Sequence, residues 1–111
     1  MRKLNLKDYM VTGKVKGGDG KLIDITVPYH FKDSVLNLMF TRELQLSGAE
    51  LVKQNVLAMK LEQCKEDEIL LEDEEYARIK RAVDTFKGFD RNAVELVTRI
   101  NEAEVVEVKT K

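Results

Sequence analysis

Residues 9–15 and 23–29 alternate between apolar and polar side chains: Tyr9, Val11, Gly13 and Val15 share one parity, and Ile23, Ile25, Val27 and Tyr29 share theirs. A period of two puts alternate residues on one face of a strand, so two strands flank the glycine-rich stretch GGDG at 17–20. A two-residue turn at Asp19-Gly20 would set Lys14 against Ile25 and Val15 against Asp24, mixing charge into the apolar face. A three-residue loop at Gly18, Asp19 and Gly20 instead sets Val15 opposite Ile23, Val11 opposite Val27 and Tyr9 opposite Tyr29. Gly20 is then free to take the positive φ of a bulge. The pattern predicts an antiparallel hairpin over residues 7–29.

After Pro28 the period becomes helical. The segment FKDSVLNLMF carries Phe31, Val35, Leu36, Leu38, Met39 and Phe40 with Asp33 near its start. A capping box, Ser47 followed by Glu50, opens a long helix over residues 48–65, with Val52, Val56 and Met59 on one stripe and Leu57, Leu61 and Cys64 beside it. A short extended piece at 69–71 precedes a third helix, for which Asp73 is the expected N-cap and Tyr76, Ile79, Val83 and Phe86 the apolar stripe. Gly88 ends it, and Phe89 and Asp90 then act as staple and cap for a fourth helix carrying Val94, Val97 and Ile100. The final EVVEV reads as a strand, residues 104–108, able to extend the hairpin's sheet. The expected fold class is therefore α+β, a hairpin packed on about four helices, with a helical part at 31–103 and one domain over residues 1–111.

Composition narrows the function classes. The chain is 43% hydrophobic and 35% charged, with 19 basic and 20 acidic residues and a net charge of -1, so no global field attracts a polyanion or an anionic membrane. The charge is dipolar: residues 62–75 hold the carboxylates Glu62, Glu66, Asp67, Glu68, Glu72, Asp73, Glu74 and Glu75 against Lys65 alone, while residues 1–32 are predominantly basic. Carboxylates crowded before a helix fit the positive end of its dipole. A calcium loop would need a central glycine, and none occurs between Gly48 and Gly88. The glycine-lysine stretch is not a P-loop, because Leu22 follows Gly20-Lys21 where Ser or Thr is required, and a strand follows instead of a helix. The single Cys64 and the single His30 lie far apart in sequence and suggest no nucleophile-base pair. The lone cysteine fits a reducing compartment. Neither a spanning apolar run nor the apolar centre of a signal peptide is visible, so the expectation is a cytoplasmic protein. No catalytic, cofactor-binding or metal-binding residues are expected.

The ordered segments LNLKDYMV, DSVLNLMF, LSGAELVKQNVLAMKL, ILLEDEEYARIKRAV and RNAVELVTRINEAEVVEV resemble small phage and prophage proteins of unknown function. The resemblance covers nearly the whole chain through its general pattern, without a motif that carries a functional residue across. It implies a viral context, in which small non-enzymatic proteins act as tail-assembly chaperones, head-tail joining pieces or adaptors, some of them associated with the virion. The expected role is thus protein-protein interaction with a phage or host protein, or self-association. A small regulator binding nucleic acid or a host protein is the alternative. The candidate surface is Val35, Leu36, Leu38, Met39 and Phe40, which cover more of a short helix than one packed face requires.

Overall fold

The computed structural model describes residues 1–107. Its elements run β1 (Arg2–Asn5), β2 (Tyr9–Lys16), β3 (Leu22–Tyr29), α1 (Phe31–Leu38), α2 (Gly48–Gln63), β4 (Glu68–Leu71), α3 (Asp73–Thr85), α4 (Val94–Asn101) and β5 (Glu104–Val105), with 3-10 turns at Arg42–Leu44 and Arg91–Ala93. The fold is α+β. β2 and β3 form a two-stranded antiparallel ribbon, and a separate antiparallel sheet has the order β4-β1-β5.

The ribbon has the expected register, with Tyr9 opposite Tyr29, Val11 opposite Val27 and Val15 opposite Ile23. At the turn the Gly17 N–H donates to the Lys21 carbonyl and the Gly20 N–H donates to the Gly17 carbonyl, leaving Gly20 at φ 82°. That left-handed value costs a residue with a Cβ about 1–2 kcal/mol, which is why glycine closes the loop.

Two strands depart from expectation. The C-terminal strand does not join the ribbon: Glu104 pairs with Lys3 and Val105 with Arg2 of β1, while position 108 of the expected strand lies outside the described residues. β1 itself was not anticipated as a sheet strand, because RKLN holds a single apolar residue. Leu4 is nevertheless almost wholly buried, paired with Ile69 of β4, so one side chain anchors the central strand.

The core lies between this sheet and the four helices, around Leu4, Phe31, Met39, Leu44, Leu61, Leu71, Leu96 and Ile100. Ser47 caps α2 by accepting from the Glu50 N–H at 3.2 Å. The N-cap of α3 lies one residue before the expected Asp73: it is Glu72, and the Glu75 carboxylate accepts from the Glu72 N–H at 2.8 Å. Asp90 caps the 3-10 turn that leads into α4, accepting from the Asn92 N–H at 3.0 Å. α4 is rotated from the expected stripe: Leu96 and Ile100 are buried, Val97 is half-buried and Val94 faces solvent.

Among the described residues the ribbon is fastened to this body at its base. Tyr9 and Tyr29 stack with centroids 4.8 Å apart, and the Tyr9 hydroxyl donates to the Asn92 carbonyl at 2.6 Å. The Arg99 guanidinium lies 5.1 Å from the Tyr9 ring centroid and 5.0 Å from that of Phe31. Asp8 accepts from the Phe31 N–H at 3.0 Å, so a residue before the ribbon caps the helix after it. Beyond this clamp the strands are largely exposed. The radius of gyration is 16.5 Å, against about 13 Å for a compact chain of this length.

Burial pushes the Tyr9 phenol up to about 12, with Tyr29 and Glu95 adding to the shift, against the opposing pull of the Leu96 backbone and Arg99. The neutral phenol is thus the form that folding favours. Its contribution is fully present below the unfolded value near 10 and is lost as pH rises through about 12. Tyr9→Phe should flatten the fall in stability above pH 10 in urea titrations at stepped pH; an unchanged alkaline slope would assign that fall elsewhere.

Candidate interaction surface

The sequence-derived surface at 35–40 divides at once. Val35, Leu38 and Met39 are buried, Leu36 is packed against the core at its margin, and only Phe40 is substantially exposed. The reason is local. Phe31, Val35, Leu38 and Met39 follow one another at helical spacing, so one stripe of α1 and its C-cap supplies four core residues. α2 closes over the end of that stripe, and the Gln54 Nε2 donates to the Met39 carbonyl at 3.0 Å. What had been read as a partner-binding face is mainly core.

The exposed apolar surface lies instead on α2 and on the ribbon. Leu51, Val52, Val56 and Met59 are between 48% and 65% exposed. Of the two adjacent apolar stripes read from the sequence, the one with Val52, Val56 and Met59 faces outward, and α2 buries Gln54, Leu57, Ala58 and Leu61. Polar contacts with α3 explain the rotation. Arg78 pairs with Glu50 at 2.6 Å, and its other terminal nitrogen lies 3.4 Å from the Gln54 Oε1; Lys60 pairs with Glu75 at 2.7 Å. The Arg78 guanidinium holds the Glu50 carboxyl below the usual carboxylate range. With Glu50, Gln54 and Lys60 turned toward α3, the residues at 51, 52, 55, 56 and 59 are left outside.

The ribbon contributes a second face. Val11, Val15, Ile23, Ile25 and Val27 share one side of β2-β3; Val15, Ile23 and Val27 are exposed, and Val11 and Ile25 are half-buried. The opposite side carries Met10, Thr12, Lys14, Lys16, Leu22, Asp24 and Thr26. The charged side chains of the ribbon's strands, Lys14, Lys16 and Asp24, all lie on that opposite side.

The acidic stretch is structural where it is engaged. Glu68 pairs with Lys3, Asp73 with the N-terminal amine, Glu74 with Arg78 and Glu75 with Lys60. Among the described residues no group of three or more His, Cys, Asp or Glu side chains is placed to hold a metal ion. His30 Nδ1 lies 3.0 Å from Asp8, beside the helix cap. The Cys64 thiol approaches the Glu66 and Glu68 carbonyls at 3.7 and 3.6 Å. A cleft of about 290 Å³ opens between α1 and the 86–90 connection, walled by Tyr29, Asn37, Phe86 and Phe89. Phe86 and Phe89 meet edge to face at 4.7 Å there, and the polar groups Thr41 and Asp90 are already bonded to backbone.

Comparison with protein-family models, curated proteins and solved structures finds no match for this chain. No helix among the described residues is long and apolar enough to cross a membrane.

The α2 surface was missed because apolar residues surround that helix: Leu51, Val52, Val56, Leu57, Met59 and Leu61 occupy all sides, and periodicity alone does not choose among them. Glu50, Gln54 and Lys60 carried the usable signal, since polar residues on one flank of a largely apolar helix find partners when they turn inward.

Proposed function

We propose that the protein is a non-enzymatic interaction and assembly factor, acting in the host cytoplasm or in association with the virion, of the chaperone or adaptor type that small phage proteins supply. The observation that carries this reading is the pair of exposed apolar stretches, Leu51, Val52, Val56 and Met59 on α2 and Val15, Ile23 and Val27 on the ribbon. Scattered exposed apolar residues need no explanation, but contiguous ones on regular elements mark contact surfaces. The resemblance of the whole chain to small phage and prophage proteins supports the assembly context. A ribbon that reaches away from the body also presents free strand edges, a common means of engaging another chain.

The reading is tested by capture from phage-infected or induced cells with the tagged parent and with Ile23→Lys and Val56→Glu. Both positions are exposed, so both variants should retain the parent's circular dichroism spectrum. A protein partner retained by the parent and lost by either folded variant is the expected result. Identical capture by all three would remove these faces from the function.

A further inference from the structure

We propose that Arg99 is the positioning residue of the ribbon: it locks the hinge at the ribbon's root, so that β2 and β3 stand from the body as one rigid arm of fixed direction. The lock goes beyond the reading of the ribbon as a contact surface and does not depend on it.

The ribbon is joined to the body by two chain crossings, Lys7-Asp8 on the way in and His30-Phe31 on the way out. Two neighbouring crossings form a hinge, because a few backbone torsions at each absorb a rotation of everything beyond them. Among the described residues of the ribbon, the apolar side chains that pack against the core are Tyr9 and Tyr29, and both belong to its first rung. Above that rung the ribbon parts from α4. An open groove of about 630 Å³ lies between Met10 and Thr12 on β2 and Val94, Glu95 and Thr98 on α4. The arm therefore has room to swing, and its direction is decided at the root.

The Asp8 carboxylate does not decide it. It accepts from the Phe31 N–H at 3.0 Å and lies 3.0 Å from His30 Nδ1, so it ties one crossing to the other and keeps the hinge narrow. Two contacts reach the root from α4 and the turn before it. The Tyr9 hydroxyl donates to the Asn92 carbonyl at 2.6 Å, a single bond at the end of one side chain. Arg99 holds more. One terminal nitrogen donates to the Lys7 carbonyl at the incoming crossing. The guanidinium also lies 5.1 Å from the Tyr9 ring centroid on the first rung and 5.0 Å from the Phe31 centroid at the outgoing crossing. One group thus holds both sides of the hinge and the rung above them.

Arg99 is itself held. Its other terminal nitrogen is bound by Glu95, one turn back on α4, and α4 is anchored through the buried Leu96 and Ile100. The Arg99 side chain is 18% exposed, so salt screens these contacts little. A guanidinium suits the position as no other cation does: its flat face meets aromatic rings while its edge donates to a carbonyl and a carboxylate. An ammonium offers a point charge and no flat face. In the interaction reading, an arm of fixed direction meets its partner already oriented and loses no freedom of direction on binding.

The test is residual dipolar couplings of the backbone amides, measured on the weakly aligned full chain for the parent, Arg99→Lys, Arg99→Met and Arg91→Met. Such couplings average over slow hinge motions as well as fast ones. In the parent, residues 9–16 and 22–29 should fit the same alignment as the body. In Arg99→Lys the body should keep its couplings while those of the ribbon shrink together, since a swinging arm averages its own alignment away. Arg99→Met keeps much of the aliphatic stem without the charge and should free the ribbon in the same way. Arg91→Met, exposed beside the same groove, is the control and should match the parent. Ribbon couplings already reduced in the parent, unchanged in a folded Arg99 variant, or equally reduced in Arg91→Met would each overturn the lock. So would unfolding of both Arg99 variants, which would make Arg99 a support of the body and not of the arm. The couplings are read on the isolated chain, so a failure to capture any cellular protein leaves the lock standing. If the lock fails, capture by the Ile23→Lys and Val56→Glu variants still decides the contact faces.

Discussion

Glutamate in place of Met39 will unfold the protein, whereas glutamate at the adjacent Phe40 will leave the circular dichroism spectrum native. Met39 has no exposed surface, and its environment is the apolar junction of α1 with α2. A carboxylate there loses its hydration and gains no cation, at a cost of several kcal/mol. The methionine's own packing is lost as well, typically about 2–5 kcal/mol for a buried aliphatic side chain. Set against a total stability of about 5–15 kcal/mol for a domain of this kind, the two effects suffice to abolish the fold. Val35→Glu and Leu38→Glu should behave alike, because both side chains lie on the same buried stripe. Phe40 is 42% exposed, so a charged group there reaches water. A Met39→Glu protein with a native spectrum and a cooperative urea transition would contradict the placement of α1.

Gln54→Leu will lower stability by about 1–3 kcal/mol, despite replacing a polar side chain in the interior with an apolar one of similar size. Gln54 is 2% exposed, donates to the Met39 carbonyl at 3.0 Å and presents its Oε1 to Arg78 at 3.4 Å. Leucine fills the volume but leaves a buried carbonyl without its donor. Asn55→Leu, one position along and exposed, is the control and should change stability little. The measurement is the urea midpoint at constant slope, which separates a loss of native contacts from a change in the denatured ensemble. Equal midpoints for Gln54→Leu and the parent would show that the bond to Met39 contributes nothing net.

These two positions also show where sequence reasoning ran short. The hairpin was legible to the register, because the parity of Tyr9, Val11 and Val15 admits one loop length that matches it to Ile23, Val27 and Tyr29. The starts of α2 and of the turn before α4 were legible from Ser47 and Asp90, whose side chains bond backbone groups two or three residues away. The exposed apolar surface was not. Val35, Leu38 and Met39 were the candidate contact face but are buried, while Val52, Val56 and Met59, read only as one of two adjacent apolar stripes, are exposed.

By itself the sequence determined the α+β class, the ribbon and its turn, the order of the four helices and the sites of several caps. Those features depend on interactions within a few residues, or on a strict period of two, and so need no knowledge of distant partners. Only the tertiary structure decided which side of α2 faces outward, that RKLN is the central strand of a sheet, and that the C-terminal strand pairs with it instead of with the ribbon. α2 is apolar around its circumference, so its rotation follows from Arg78 and Glu75 of α3, residues more than a dozen positions away that draw Glu50, Gln54 and Lys60 inward. A local period is blind to such partners, and the side of the helix that they do not hold is the side left facing solvent.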